Sequence, residues 1–369
     1  MGSSLTIETR AFRDLSAAHL TRWRTLRDQN PTLESPYHHP DYHALVDQHQ
    51  GGVKVTLMIQ DGDVIAFLPW QGGSFARPSG APLSDYQAII ADPKHAIGVS
   101  DLLHGQAVGA FHYTAMLDKA GEPTTRLELS SAEAWRADRD GSYRRHLKST
   151  RRRIRKAEEE IGPRRIVTCS RDVDAYKALM TWKRGKFSET GKFDVLANPG
   201  TSGLLRALWE RGPDSDLRAD LHALYFGDRL AACDLGLTDG HVFHSWIVGY
   251  DPDLLTYGPG IQLLEGLIDQ TRDVGYGVID LGPGIDGYKR HYATHPHHVS
   301  AGMVTLPSAA GMLASSYDRM ESILRNHTGD ALGKLRRRYS QIAACEPKLI
   351  GRSSALASAI GTKLKPTVN

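Results

Sequence analysis

Apolar and polar positions alternate along residues 53–60, with Val53, Val55, Leu57 and Ile59 on one side. The pattern breaks at Asp61-Gly62-Asp63 and returns through Val64 to Trp70. A two-residue period flanking a glycine turn predicts a β-hairpin. The plan recurs at residues 220–238, where Leu221 to Phe226 and Arg229 to Thr238 flank Gly227-Asp228. Gly62 and Gly227 stand 165 residues apart, about one domain length, so the repeat predicts two similar lobes. After Asp239-Gly240, His241 to Gly249 reads as a third antiparallel strand. A loop then leads to Tyr257-Gly258-Pro259-Gly260, followed by a helix with Ile261, Leu264, Leu267, Ile268 and Thr271 on one face. Gly275 stops that helix, and Gly277 to Leu281 forms a short strand before Gly282-Pro283-Gly284. Between the two hairpins, Tyr143, Leu147, Thr150, Ile154, Ala157 and Ile161 recur every three or four residues, which predicts a helix with a narrow apolar seam.

Composition narrows the class. With 40% hydrophobic and 24% charged residues, the 369-residue chain is globular and long enough for two domains. No apolar run reaches the roughly 20 residues that span a bilayer, and Thr6 to Leu15 carries Glu8, Arg10, Arg13 and Asp14, so the expectation is a cytoplasmic protein without a secretory signal. Three scattered cysteines exclude a disulfide scaffold and a zinc ribbon. Net charge is +3, but the charges are segregated. Eight basic and no acidic residues fall within 144–156, and nine basic against two acidic within 325–369. The basic run reads either as a solvated helix face or as a surface for an anionic ligand or membrane, with Arg144, Lys148, Arg151, Arg152 and Arg155 as its candidates. Nucleic acid is disfavoured because aromatic residues do not interleave with the charges. Neither histidine cluster (His38, His39, His43; His291, His295, His297, His298) has metal-ligand spacing, so no metal is expected.

The Gly258-Pro259-Gly260 loop is the first candidate for chemistry. A helix N-terminus offers unpaired N–H groups and partial positive charge, which suits a pyrophosphate. Tyr257 and Ile261 flank the loop. A structural turn is the other reading, because the spacing matches no nucleotide-binding fingerprint.

Meander, glycine loop, helix and strand follow the order of the GNAT acyltransferase fold. Residues Leu221 to Tyr292 resemble the CelD-like GNAT family through ALYFGDRLA (223–231), GYDP (249–252), GPG (258–260), DLGPG (280–284) and Tyr288-Lys289. Ser35-Pro36-Tyr37 and Pro82-Leu83-Ser84-Asp85-Tyr86 resemble that family's first lobe. The resemblance implies an α/β (α+β) protein of two tandem GNAT-like lobes, FemABX-like, with mixed and mainly antiparallel sheets joined by the basic helix. The expected division is 1–140, 141–162, 163–308 and a C-terminal helical and basic region 309–369. It implies acetyl-CoA or a longer acyl-CoA as co-substrate in the second lobe. The acceptor would be an amine of an envelope lipid, such as a sphingoid base, or of an envelope amino sugar. Acyl transfer needs a proton acceptor and a donor for the leaving thiolate, with His244, Asp280 and Tyr288 as candidates. Lys289 would contact the donor's phosphates, and Asp85 and Tyr86 the acceptor. His244 reads equally as a buried, satisfied histidine, and Asp280 as a hydrogen-bond acceptor for the glycine turn after it. A FemABX-like transferase drawing on charged tRNA, and a non-catalytic binding protein for an anionic ligand, stay open.

Overall fold

The computed structural model describes residues 4–316 together with Arg319 and Ile342. The helix expected to carry Arg336-Arg337-Arg338 and the basic tail lie outside the described residues. The elements run β1 (Leu5–Ala11), α1 (Ala17–Asp28), α2 (Pro40–Gln50), β2 (Val53–Gln60), β3 (Asp63–Gly72), β4 (Phe75–Pro78), β5 (Ile90–Ala91), α3 (Val99–Leu103) and β6 (Ala110–Glu128). They continue with α4 (Ala132–Ala137), α5 (Gly141–Glu160), β7 (Arg164–Ser170), α6 (Val173–Glu189), α7 (Pro199–Glu210), β8 (Arg218–Phe226), β9 (Arg229–Thr238), β10 (Val242–Tyr250), α8 (Pro259–Val274), β11 (Val278–Pro283) and β12 (His298–Thr305).

The chain divides into two compact units. One holds the residues up to Leu117, Phe187–Leu204 and the segment from Ser300; the other holds Asp118–Lys186 and Leu205–Val299. In the first, β1, β2, β3 and β4 form an antiparallel ladder, and β4 pairs in parallel with the start of β6 (Phe75 with Ala110, Ala76 with Phe111). Met58, Leu68, Trp70, Leu102, Leu103 and Phe111 pack beneath that sheet. In the second, β7, β8, β9 and β10 are antiparallel neighbours, β10 pairs in parallel with β11, and β11 pairs antiparallel with the end of β6.

Chain order is therefore the same twice: strand, two helices, a three-stranded meander, a helix, and a strand parallel to the meander's last member. The two lobes read from the repeated hairpins are present, with mixed and mainly antiparallel sheets. Both hairpin turns are closed by glycines at positive φ, Gly62 at 92° and Gly227 at 56°. Glycine adopts that region without a Cβ clash.

Helix α5 follows its seam. Tyr143, Thr150 and Ala157 are buried, while Arg144, Arg145, Lys148, Arg151, Arg152, Arg155 and Lys156 are exposed. Its anchor is Glu265 of α8, a buried carboxylate that accepts hydrogen bonds from Tyr143 (3.1 Å), Tyr292 (2.9 Å) and Arg136 (2.8 Å). The acidic end of α5 opposes the helix dipole, and local contacts account for it. Tyr257 donates a hydrogen bond to Glu160, and the Arg164 N–H donates to Glu158 at 3.3 Å.

Candidate active site

The parallel pairing of β10 and β11 spans three residue pairs, Val242–Val278, Phe243–Ile279 and His244–Asp280. Past that point β10 stays paired with β9, with a register shift between Ser245 and Ile247, and β11 shifts register against β6 between Asp280 and Pro283. A bulge redirects side chains along a strand. Here it puts both Ser245 and Val248 in the wall of one cavity of about 320 Å³, although strict alternation would separate them.

The cavity lies wholly within the second unit. Its wall includes Gly258, Pro259, Gly260 and Ile261 from the start of α8, Arg153 from α5, Asp234 from β9, Tyr250, Leu264, Leu281 and Tyr288. Helix α8 is 16 residues long and opens on Gly258, which makes no side-chain cap bond. An uncapped first turn leaves backbone N–H donors and the positive end of the helix dipole for a ligand. Gly258 adopts φ 69°, and a Cβ there would lie 2.5 Å from Arg153 Nη1. Glycine at 258 therefore serves both the left-handed turn and the close approach of the guanidinium. Arg153 is the one cationic side chain lining the cavity among the described residues. Its Nη2 donates to Thr150 Oγ1 at 3.3 Å. The notch thus combines backbone donors, a guanidinium and glycine access, a setting for a phosphate group.

Asp234 is the other charged residue in the wall. It is 6% exposed, and its Oδ2 accepts the Ser245 hydroxyl at 2.7 Å. Burial pushes its carboxyl up to about 6, despite the Ser245 hydrogen bond and the charges of His244 and Lys183, which act downward. Tyr288 shares the cavity, and burial together with the Asp234 charge raises its phenol, so it stays protonated at neutral pH.

The expected catalytic residues divide between two environments. Tyr288 lines the cavity with Gly258, Gly260 and Ile261, whereas His244 and Asp280 do not. Those two are fully buried side by side, with His244 Nδ1 3.6 Å from Asp280 Oδ1. Arg126 donates to Asp280 Oδ2 at 3.1 Å, and the Gly282 N–H donates to Oδ1 at 2.7 Å. Burial raises the Asp280 carboxyl, but His244, Arg126 and the Gly282 N–H together outweigh it and hold it near 2. Asp280 does bond the glycine turn, and it also neutralises Arg126.

Lys289 donates to the carbonyls of Leu281 (2.7 Å) and Pro283 (3.1 Å), bracing the end of β11. Tyr257 is tied to Glu160, and its carbonyl accepts from Gln262 at 2.9 Å. In the first unit Tyr86 is 2% exposed and lines a separate cavity of about 10 Å³, room for one water, while Asp85 beside it is half-buried. Arg144, Lys148, Arg151, Arg152 and Arg155 all sit on the exposed face of α5. Among the described residues no group of three His, Cys, Asp or Glu is placed to hold a metal ion.

Residues 144–290, from α5 through β11, match the family model of the acetyltransferase (GNAT) domain. That segment is a GNAT domain, a type of domain that uses acyl-CoA, and it makes the protein an N-acyltransferase. The chain is similar to a solved C-terminal domain of a putative lysylphosphatidylglycerol synthetase from Agrobacterium fabrum, at 13% identity over 81% of this chain and 95% of that one, TM-score 0.47. It is similar to a tandem GNAT protein from the clavulanic acid biosynthesis pathway, at 10% identity over 82% and 98%, TM-score 0.47. It is also similar to FemX, at 9% identity over 79% and 95%, TM-score 0.49. No curated protein matches the sequence at a significant level.

Proposed function

We propose that the second unit binds acyl-CoA with its pyrophosphate on the first turn of α8 and beside Arg153. The thioester would then lie in the cavity that Asp234, Ser245 and Tyr288 line. The observation that carries this reading is the uncapped glycine turn and the guanidinium sharing one cavity wall with a buried carboxylate. One end suits the donor's phosphates, and the other suits proton traffic at an amine. The acceptor is the amine of an envelope lipid, with a sphingoid base as the favoured case and an envelope amino sugar as its competitor. Support for a lipid is the basic exposed face of α5, the same helix that brings Arg153 to the cavity. Such a face concentrates the enzyme on an anionic membrane, and the enzyme acts there as a peripheral cytoplasmic protein.

Calorimetric titration with acetyl-CoA and palmitoyl-CoA tests the donor site. Wild type is expected to bind at one donor per chain. Gly260→Leu fills the cavity at a position where a Cβ meets only Tyr250, at 3.7 Å. That variant should lose binding at least tenfold while its circular dichroism is unchanged. Arg153→Met should weaken both donors and flatten the salt dependence of binding. Failure of wild type to bind either donor refutes the reading.

A further inference from the structure

Two buried carboxylates sit in the same half of the second unit, and they are partnered very differently. Asp280 has Arg126, the Gly282 N–H and His244 around it. Asp234 has the Ser245 hydroxyl on Oδ2, while Oδ1 is buried without a hydrogen-bond partner. An ionised carboxylate accepts several hydrogen bonds, and one buried with an oxygen unmatched is costly. The cost is retained where a ligand supplies the missing donor, and Asp234 lines the cavity in which a ligand would sit. Its strand partners are His222 on β8 and Val248 on β10, and Cys233 precedes it on β9. The charged groups acting on it are Lys183 of α6 and His244 of β10. Lys183 donates to the Val248 carbonyl at 3.3 Å. The remaining cavity cation, Arg153, lies against Gly258.

Resting on the acyl-CoA reading above, we propose that Asp234 binds the ammonium group of the acceptor and takes its proton, making Asp234 the residue that selects a primary amine. The ammonium gives one proton to the Asp234 carboxylate and becomes a neutral nucleophile. Its nitrogen lone pair then forms the C–N bond to the thioester carbonyl, and the C–S bond breaks with its electrons on sulfur. Tyr288 gives its hydroxyl proton to that sulfur and regains one from the former amine nitrogen. Asp234 returns its proton to solvent, so one ammonium and one thioester yield an amide, a thiol and a proton. The raised carboxyl fits this role, because a base near neutrality accepts a proton and releases it again.

The test uses the full chain saturated with CoA and titrated with sphinganine in micelles, glucosamine and decylamine. At least one amine should bind wild type, and bind Asp234→Asn at least tenfold more weakly. Acetyl-CoA affinity should be equal in the two proteins. With the amine that wild type acylates fastest, Asp234→Asn should lower kcat at least a hundredfold and remove the acid limb of kcat/KM near pH 6. Asp234→Glu should restore part of both. Absence of binding by every amine, or equal binding by Asp234→Asn, overturns the proposal. So does an acid limb that survives the substitution. Because acetyl-CoA binding is read separately, a lost donor site is distinguished from a wrong acceptor residue.

Discussion

Replacing Arg126 by methionine isolates the buried charge cluster beside the cavity. Arg126 and Asp280 are 0% and 1% exposed, and their closest atoms are 3.1 Å apart. Removing one partner of such a pair leaves a buried, uncompensated charge, which costs about 3–5 kcal/mol. A second magnitude comes from titration. Asp280 is held near 2 against an ordinary 3.8, so its ionised form contributes about 2 kcal/mol to folding. The smaller figure is a net one, because burial acts against the partners within it. The sign follows: a carboxyl depressed in the folded state stabilises above the unfolded value of 3.8, and that contribution disappears as pH falls toward 2. In Arg126→Met the burial penalty and the larger His244 contributions stay while the Arg126 charge goes, so the carboxyl rises from about 2. The stability this group contributes above its unfolded value then shrinks, and with it the pH dependence. Urea unfolding at pH 7 and pH 4 measures both effects. Arg126→Met with Asp280→Asn gives the reference in which the charge is gone, so other carboxylates cancel in the difference. Arg126→Met should lose about 3–5 kcal/mol at pH 7, and Asp280→Asn should cost less in that background than in wild type. A single variant within about 1 kcal/mol of wild type, or an Asp280→Asn cost that is equal in both backgrounds, refutes the account.

Two further outcomes follow from other contacts. Ser245→Ala removes the hydroxyl that lowers the Asp234 carboxyl, so the acid limb of kcat/KM should move above pH 6; a limb that stays or falls contradicts the pairing. Reversing Arg144, Lys148, Arg151, Arg152 and Arg155 to Glu should abolish co-sedimentation with phosphatidylglycerol vesicles, at about 1 kcal/mol lost per removed cation. Acetyl-CoA affinity should be unchanged, and vesicle binding that persists would remove the membrane from the proposal.

Periodicity made much of the fold legible. The hairpins at Gly62 and Gly227, the seam of α5 and the stop of α8 at Gly275 all follow from local spacing and turn chemistry. Side-chain direction was harder where the period breaks. In HVFHSWIVG, alternation favours His244 as the residue to watch, yet the bulge after Ser245 puts that serine in the cavity and leaves His244 beside Asp280. Asp234 lies in LAACDLGL, a run that reads as plain core. Strand β9 is buried on both faces from Ala231 onward, and a lone aspartate in such a strand was the available signal. Arg153 stood three residues after Thr150 and four before Ala157, a position flanking the seam as closely as Ile154 does. The weight of eight cations on one helix hid the single one that turns inward.

The repeat also bears on how many donors one chain can hold. In the second unit, ten residues of β9 and nine of β10 support a 16-residue helix that starts on an uncapped glycine. The corresponding helix of the first unit is five residues long, and the last strand of that unit's meander, β4, only four. A helix of one turn sums few peptide dipoles, so its end carries little field. Its first turn is also occupied, since Asp101 accepts the Gly98 N–H at 2.8 Å. The first unit's cavity beside Tyr86, of about 10 Å³, has no room for a thioester. On the proposed reading the donor notch is therefore expected once per chain, and the single binding event in the titration follows from that asymmetry. Acyl transfer is expected, on the same reading, at the cavity whose wall holds Gly258 and Asp234.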